Sequence, residues 1–156
     1  IAYRRGCFFH SSGIKLNGKG LLFVGHSSAG KSTMIKLTRQ HALPLCDERI
    51  IVRHLDDGLR MYGNWCHGEL PEVSAESAPL RAVLFLKKAE TNRLLPIDKQ
   101  RALGILLGCL IKTHAGAEWW ERVTKVISAM LEHTPMYTLE FDKSGGVNDV
   151  LEQLAR

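Results

Sequence analysis

The sequence predicts an α/β fold built on a mixed sheet, and three observations predict it. Asn17-Gly18 joins two β-type runs, residues 13–16 and 20–24, and this dipeptide suits a tight hairpin because both central residues must take positive φ. The second run leads directly into a glycine-rich stretch and then a helical pattern, a strand–loop–helix unit. In the common arrangement such a loop follows the first parallel strand, whereas here a hairpin precedes it, so parallel and antiparallel pairing must coexist.

The elements follow in order. Residues 7–10 and 13–16 are short β-type runs, and the turn at Asn17-Gly18 sends the chain back through a buried strand at 20–24. Residues 31–40 carry Met34, Ile35, Leu37 and Thr38 on one helical face, and Pro44 falls beyond its end. A strand begins at Leu45 and continues through Ile50, Ile51 and Val52, and Asp56-Asp57-Gly58 turns it into a run at 59–62. The stretch 63–79, punctuated by Gly and Pro, is the longest expected loop, and loops of such length in a compact domain often serve function. Residues 82–87 read as a central strand, 97–112 and 119–133 as helices, 136–141 as a strand and 147–156 as a closing helix.

The chain has 156 residues, the size of one domain, and its 45% apolar and 24% charged residues exclude a disordered or fibrous reading. No run approaches the roughly 18 to 20 apolar residues that cross a bilayer. Cys7, Cys46, Cys66 and Cys109 show no C-x-x-C spacing and no secretory layout precedes them, so they are expected to be reduced thiols of a cytoplasmic protein. Cys66-His67 lacks the second ligand pair that a zinc site needs. The chain opens on Ile1 and not on Met, so the expected single domain, 1–156, is open to being a piece of a longer protein.

The formal charge of +5 is unevenly placed: residues 1–46 hold seven Lys/Arg and no acid, while residues 47–156 hold fourteen basic and sixteen acidic side chains. A basic third that ends on an acidic pair suits an anion site with a metal or proton-transfer centre at its edge. Arg4-Arg5, Lys15 and Lys19 lack interleaved aromatic residues, so no nucleic-acid partner is expected, and no membrane partner either.

Gly25, His26, Ser27, Ser28, Ala29, Gly30, Lys31 and Ser32 fit G-x-x-x-x-G-K-[ST] at every position, and Thr33 continues into the helix. Glycines let such a loop curl so that successive N–H groups cradle phosphate oxygens, and the helix N-terminus adds partial positive charge. Lys31 is placed to reach the β- and γ-phosphates of ATP and Ser32 to ligate Mg2+. Asp47-Glu48 are the first acids of the chain, and adjacent carboxylates can divide the work, one facing magnesium and one taking a proton from an acceptor hydroxyl. The hairpin is expected to bring His10 back toward the loop.

In Phe9-His10-Ser11-Ser12-Gly13, Asn17-Gly18-Lys19-Gly20, the loop through Thr33 and Leu45-Cys46-Asp47-Glu48-Arg49, the chain resembles the HPr kinase/phosphorylase family and the wider group it shares with ATP-dependent phosphoenolpyruvate carboxykinase. The resemblance covers residues 7–52. It implies a P-loop nucleotide-binding core with a hairpin before the loop, and γ-phosphoryl transfer from ATP to a serine hydroxyl of a protein or peptide acceptor. By position it implies that Lys31 and Ser32 bind phosphate and magnesium, that His10 supports the acidic pair, and that Glu48 deprotonates the acceptor while Asp47 orients the metal. Glu69 is the counterpart proposed for a further metal carboxylate. Glu48 departs from the family's aspartate by one methylene, and no C-terminal arginine matches securely, with Arg81 and Arg93 as the available ones, which puts dephosphorylation in doubt. A homo-oligomer is also implied by resemblance. The competing readings are an ATP-holding regulatory module without efficient transfer and a kinase of small hydroxyl compounds. Trp119-Trp120 is expected to pack one ring in the core and leave the other for an interface.

Overall fold

The computed structural model describes residues 1–112 and 116–156. After a 3-10 helix at Ala2–Arg4, eight strands and four α-helices follow one another as β1 (Gly6–Leu16), β2 (Lys19–Val24), α1 (Lys31–Thr38), β3 (Leu43–Cys46), β4 (Arg49–Leu55), β5 (Gly58–Tyr62), β6 (Ser77–Lys88), β7 (Arg93–Pro96), α2 (Lys99–Cys109), α3 (Ala117–His133), β8 (Met136–Phe141) and α4 (Val147–Leu154) among the described residues. The fold is α/β with a mixed sheet: β1/β2 and β7/β8 pair antiparallel, whereas β2/β6 and β6/β8 pair parallel.

The two runs expected at 7–10 and 13–16 are one continuous strand, β1, because Ser11 and Ser12 between them are buried within the pairing. This strand serves two neighbours in turn. Its first half pairs with β4, its second half with β2 on one edge and β3 on the other. The 12-residue β6 behaves likewise, pairing first with β5 and then with β2 and β8. As a result β1, β4, β5, β6 and β2 close into a ring.

Sequence reading placed one strand from Leu45 through Val52, and the structure divides it. Gly13 faces Cys46 and His10 faces Arg49, so β3 and β4 run along β1 in a shared register with an interruption at Asp47-Glu48. The break frees both carboxylates from the ladder. The helix expected at 97–112 is also corrected. Pro96 ends a short edge strand, β7, and the Asp98 side chain accepts from Arg101 N–H at 2.8 Å, which starts α2 at Lys99. At the far end Leu110 turns extended, bridges Phe9, and Ile111 N–H donates to Phe8 C=O at 2.7 Å, so a backbone edge of β1 ends the helix early.

Alternation along β2 assigns the two core faces. Leu22 and Val24 join Val83, Phe85, Leu106, Val126 and Met130 beneath α2 and α3, while Leu21 and Phe23 join Leu84, Leu139, Met34, Ile35 and Leu151 beneath α1 and α4. Trp119 is buried and Trp120 half-buried, edge-to-face at 4.9 Å, with the Lys112 ammonium 5.7 Å from the Trp120 ring. No helix among the described residues is long and apolar enough to cross a membrane.

Candidate functional site

Register places the site. Val24, the last residue of β2, faces Ser11 on β1 and Phe85 on β6, so the loop that follows emerges with His10 on one flank and the end of β6 on the other. Asp47 and Glu48 lie beyond His10, because Glu48 C=O accepts from Ser11 N–H at 3.0 Å. A cleft of about 390 Å³ opens here, lined by His10, Ser27, Ser28, Gly30, Lys31, Ser32, Thr33, Asp47, Glu48, Glu69 and Lys88. Gly25, His26 and Ala29 face away, into a second cavity of about 400 Å³ on the α2 side that shares Ser27 and Ser28 with the first.

The loop takes the curl that its glycines permit. Ser28 has φ +66° and Gly30 φ +107°, and a Cβ at Gly30 would stand 2.6 Å from the Phe141 ring. The turn delivers Lys31 to the first position of α1, whose first turn carries no acid, so the helix end presents amides and positive charge together. Lys31 is buried, and its ammonium donates to Gly25 C=O at 2.9 Å and His26 C=O at 3.1 Å. Burial pulls its pKa below the ordinary lysine value, opposed by Cys109, Glu48 and Asp47.

The two carboxylates are held in different ways. Asp47 is buried, and its oxygens accept from Gly68 N–H at 2.6 Å, Leu70 N–H at 2.9 Å and the Ser32 hydroxyl at 3.4 Å. These amides belong to a strap, residues 63–76, that crosses over the β3–β4 break. Cys46 Sγ donates to Cys66 C=O at 2.9 Å, Asn64 Nδ2 donates to Arg49 C=O, and Ser74 N–H donates to Leu45 C=O at 3.0 Å. A Cβ at Gly68 would come 2.4 Å from Glu48 Oε2 and 3.1 Å from Glu48 Cβ, so a larger residue there would displace the Glu48 carboxylate. Glu48 stays part-exposed in the cleft, 3.1 Å from His10 Nδ1. Burial first, then Lys31, lowers the His10 pKa, and Glu48 works against them. A neutral His10 carrying its proton on Nδ1 donates to Glu48.

Glu69 lines the cleft, but its carboxylate pairs with Lys36 on α1 at 2.7 Å, and Glu72 with Arg39 at 3.1 Å, which ties the strap to the helix. Among the described residues no three His, Cys, Asp or Glu side chains gather as a metal cluster, and all four cysteines are free. Ser32 and Asp47 together offer the oxygen donors that a hard divalent cation accepts alongside phosphate. Sequence reading missed Lys88, the two strap amides and Cys109 behind Lys31. For the strap the available signal was the length of the 63–79 loop. For Lys88 it was a position at the carboxyl end of a central strand, where ligands of such sheets gather.

No curated protein matches the chain. Among solved structures, the Hpr(Ser) kinase/phosphatase from Coxiella burnetii is similar with a TM-score of 0.42 and 13% identity, over 80% of this chain and 92% of that one, a likeness too distant to carry an argument. The profile of SynChlorMet cassette protein ScmC, by contrast, matches residues 1–156, and the chain belongs to that family.

Proposed function

We propose that residues 1–156 form one catalytic domain that binds ATP with Mg2+ in this cleft and transfers the γ-phosphoryl group to a serine hydroxyl of a protein or peptide. One observation carries the reading: a complete G-x-x-x-x-G-K-S loop shares one cleft with a cation-ready pair, Ser32 and Asp47, and with a part-exposed carboxylate, Glu48, held by His10. The amides of the loop and the first turn of α1 hold phosphate oxygens. Lys31 exchanges the carbonyls of Gly25 and His26 for the β- and γ-phosphates, a short move for a side chain already in the cleft. Magnesium, when bound, neutralises charge between those phosphates. Ser32 and Asp47 are the residues that would hold it.

Glu48 is the base in this reading because it is part-exposed and Asp47 is buried and committed to two amides. The acceptor oxygen forms its bond to γ-phosphorus as the bond to the ADP oxygen breaks, and the hydroxyl proton passes to Glu48. His10 orients that carboxylate through Nδ1–H.

Incubation with γ-labelled ATP, magnesium and cell extract, followed by mass spectrometry of labelled protein, tests the proposal. Label on serine is expected, and Lys31→Ala is expected to lose it together with nucleotide affinity, by about 100-fold. A protein that binds ATP but transfers nothing would instead be an ATP-holding module. The longer Glu48 and the lack of a matching C-terminal arginine favour that second reading.

A further inference from the structure

The two lysines that end β6 have different fates. Lys87 pairs with Glu140 at 2.8 Å, and the same carboxylate takes Arg93 at 2.6 Å. Successive strand residues point to opposite faces, and Lys88 turns into the cleft. It is exposed and, among the described residues, has no ion pair or side-chain hydrogen bond. It is also the only cleft-lining side chain that β6 supplies among them.

Strand pairing places it relative to the chemistry. β2 lies between β1 and β6, so His10 and Glu48 occupy one flank of the loop and Lys88 the other. Lys88 faces Phe141 on β8, and the Phe141 ring lies against Gly30. Lys88 therefore stands at the Gly30 end of the loop, across the cleft from the proposed base.

We propose that Lys88 is a phosphate-binding residue that grips the nucleoside side of the polyphosphate, at its α-phosphate. The inference rests on the ATP reading above. If the transferred group sits by Glu48, the polyphosphate runs over the loop away from β1 and toward β6. The cation waiting there meets a phosphate that ATP and ADP share. Such a contact is equally strong before and during transfer, so its loss raises KM and leaves kcat unchanged.

Calorimetric titration of the full chain with MgATP and MgADP, in wild type, Lys88→Ala, Lys88→Arg and Lys31→Ala, decides the matter. Lys88→Ala is expected to weaken both nucleotides equally, by about tenfold, and to flatten the salt dependence of binding. Lys88→Arg should stay within about threefold of wild type, and the Tm of both variants should be unchanged. Affinities within about twofold of wild type for Lys88→Ala, or a loss confined to ATP, would overturn the assignment. A wild-type chain that binds neither nucleotide, or a Lys31→Ala variant that binds as well as wild type, would overturn the nucleotide reading itself and the role of Lys88 with it.

Discussion

Two buried carboxylates, Asp47 at the β3–β4 break and Glu140 on β8, show how one protein puts the same group to opposite uses. Glu140 is satisfied by two cations, Lys87 and Arg93, so its charge is cancelled where it stands. Asp47 is satisfied by two neutral amides and a hydroxyl, so its hydrogen bonds are made while its negative charge remains. A cancelled charge pins β7 to β8. A retained charge beside Ser32 is what a divalent cation needs. The contrast extends to the neighbouring lysines, since the one facing Glu140 is paired and the one facing the cleft is not.

Substitutions can break this contrast. The largest effect is expected for Glu48→Gln, which keeps the shape of the cleft and removes the proposed proton acceptor. Transfer should fall by about 10² to 10⁴ with nucleotide affinity retained. Should Asp47→Asn alone produce that pattern, the base is Asp47. The expected signature of Asp47→Asn is different: weaker magnesium-dependent nucleotide binding together with a less stable fold. Its new amide group must face Gly68 N–H or Leu70 N–H and leave a buried donor unsatisfied, at a cost of about 1 to 3 kcal/mol, or roughly 3 to 10 °C in Tm.

Glu140→Gln should leave nucleotide affinity untouched and lower Tm less than Asp47→Asn does. Its effect should depend on pH in a stated direction. Hydrogen bonds from Lys87 and Arg93 hold Glu140 below the usual carboxylate range. The unfolded chain therefore takes up this proton first as pH falls. The stability that Glu140 adds is complete above its ordinary pKa and is lost as pH drops through the lowered one. Thermal melts between pH 6 and pH 3 should show wild type losing Tm more steeply than Glu140→Gln, and parallel curves would show that the pair adds nothing.

The glycine-rich turn between β2 and α1 was legible because a strand–loop–helix unit is made of consecutive residues, and local spacing is all that a sequence displays directly. His10 could be placed by the hairpin, since Asn17-Gly18 sets the register that puts Ser11 opposite Val24. Asp47-Glu48 stood out as the first acids of a basic third. What separates them was not legible: the ladder break between Cys46 and Arg49, and the Gly68 and Leu70 amides that hold Asp47 and leave Glu48 in the cleft. Backbone donors carry no mark of side-chain identity, so a loop that supplies them reads only as long and glycine-punctuated.

By itself, then, the sequence determined the loop, the hairpin that precedes it, the acidic pair and the α/β character, because each rests on contacts between residues close along the chain. The tertiary structure alone decided the rest. The parallel pairing of β2 with β6 brings Lys88 to a cleft more than fifty residues away from its loop in the chain, and the strap folds back to assign different surroundings to adjacent carboxylates. Both are long-range pairings, fixed by burying the two faces of one sheet and satisfying its backbone, and no short window of residues encodes them.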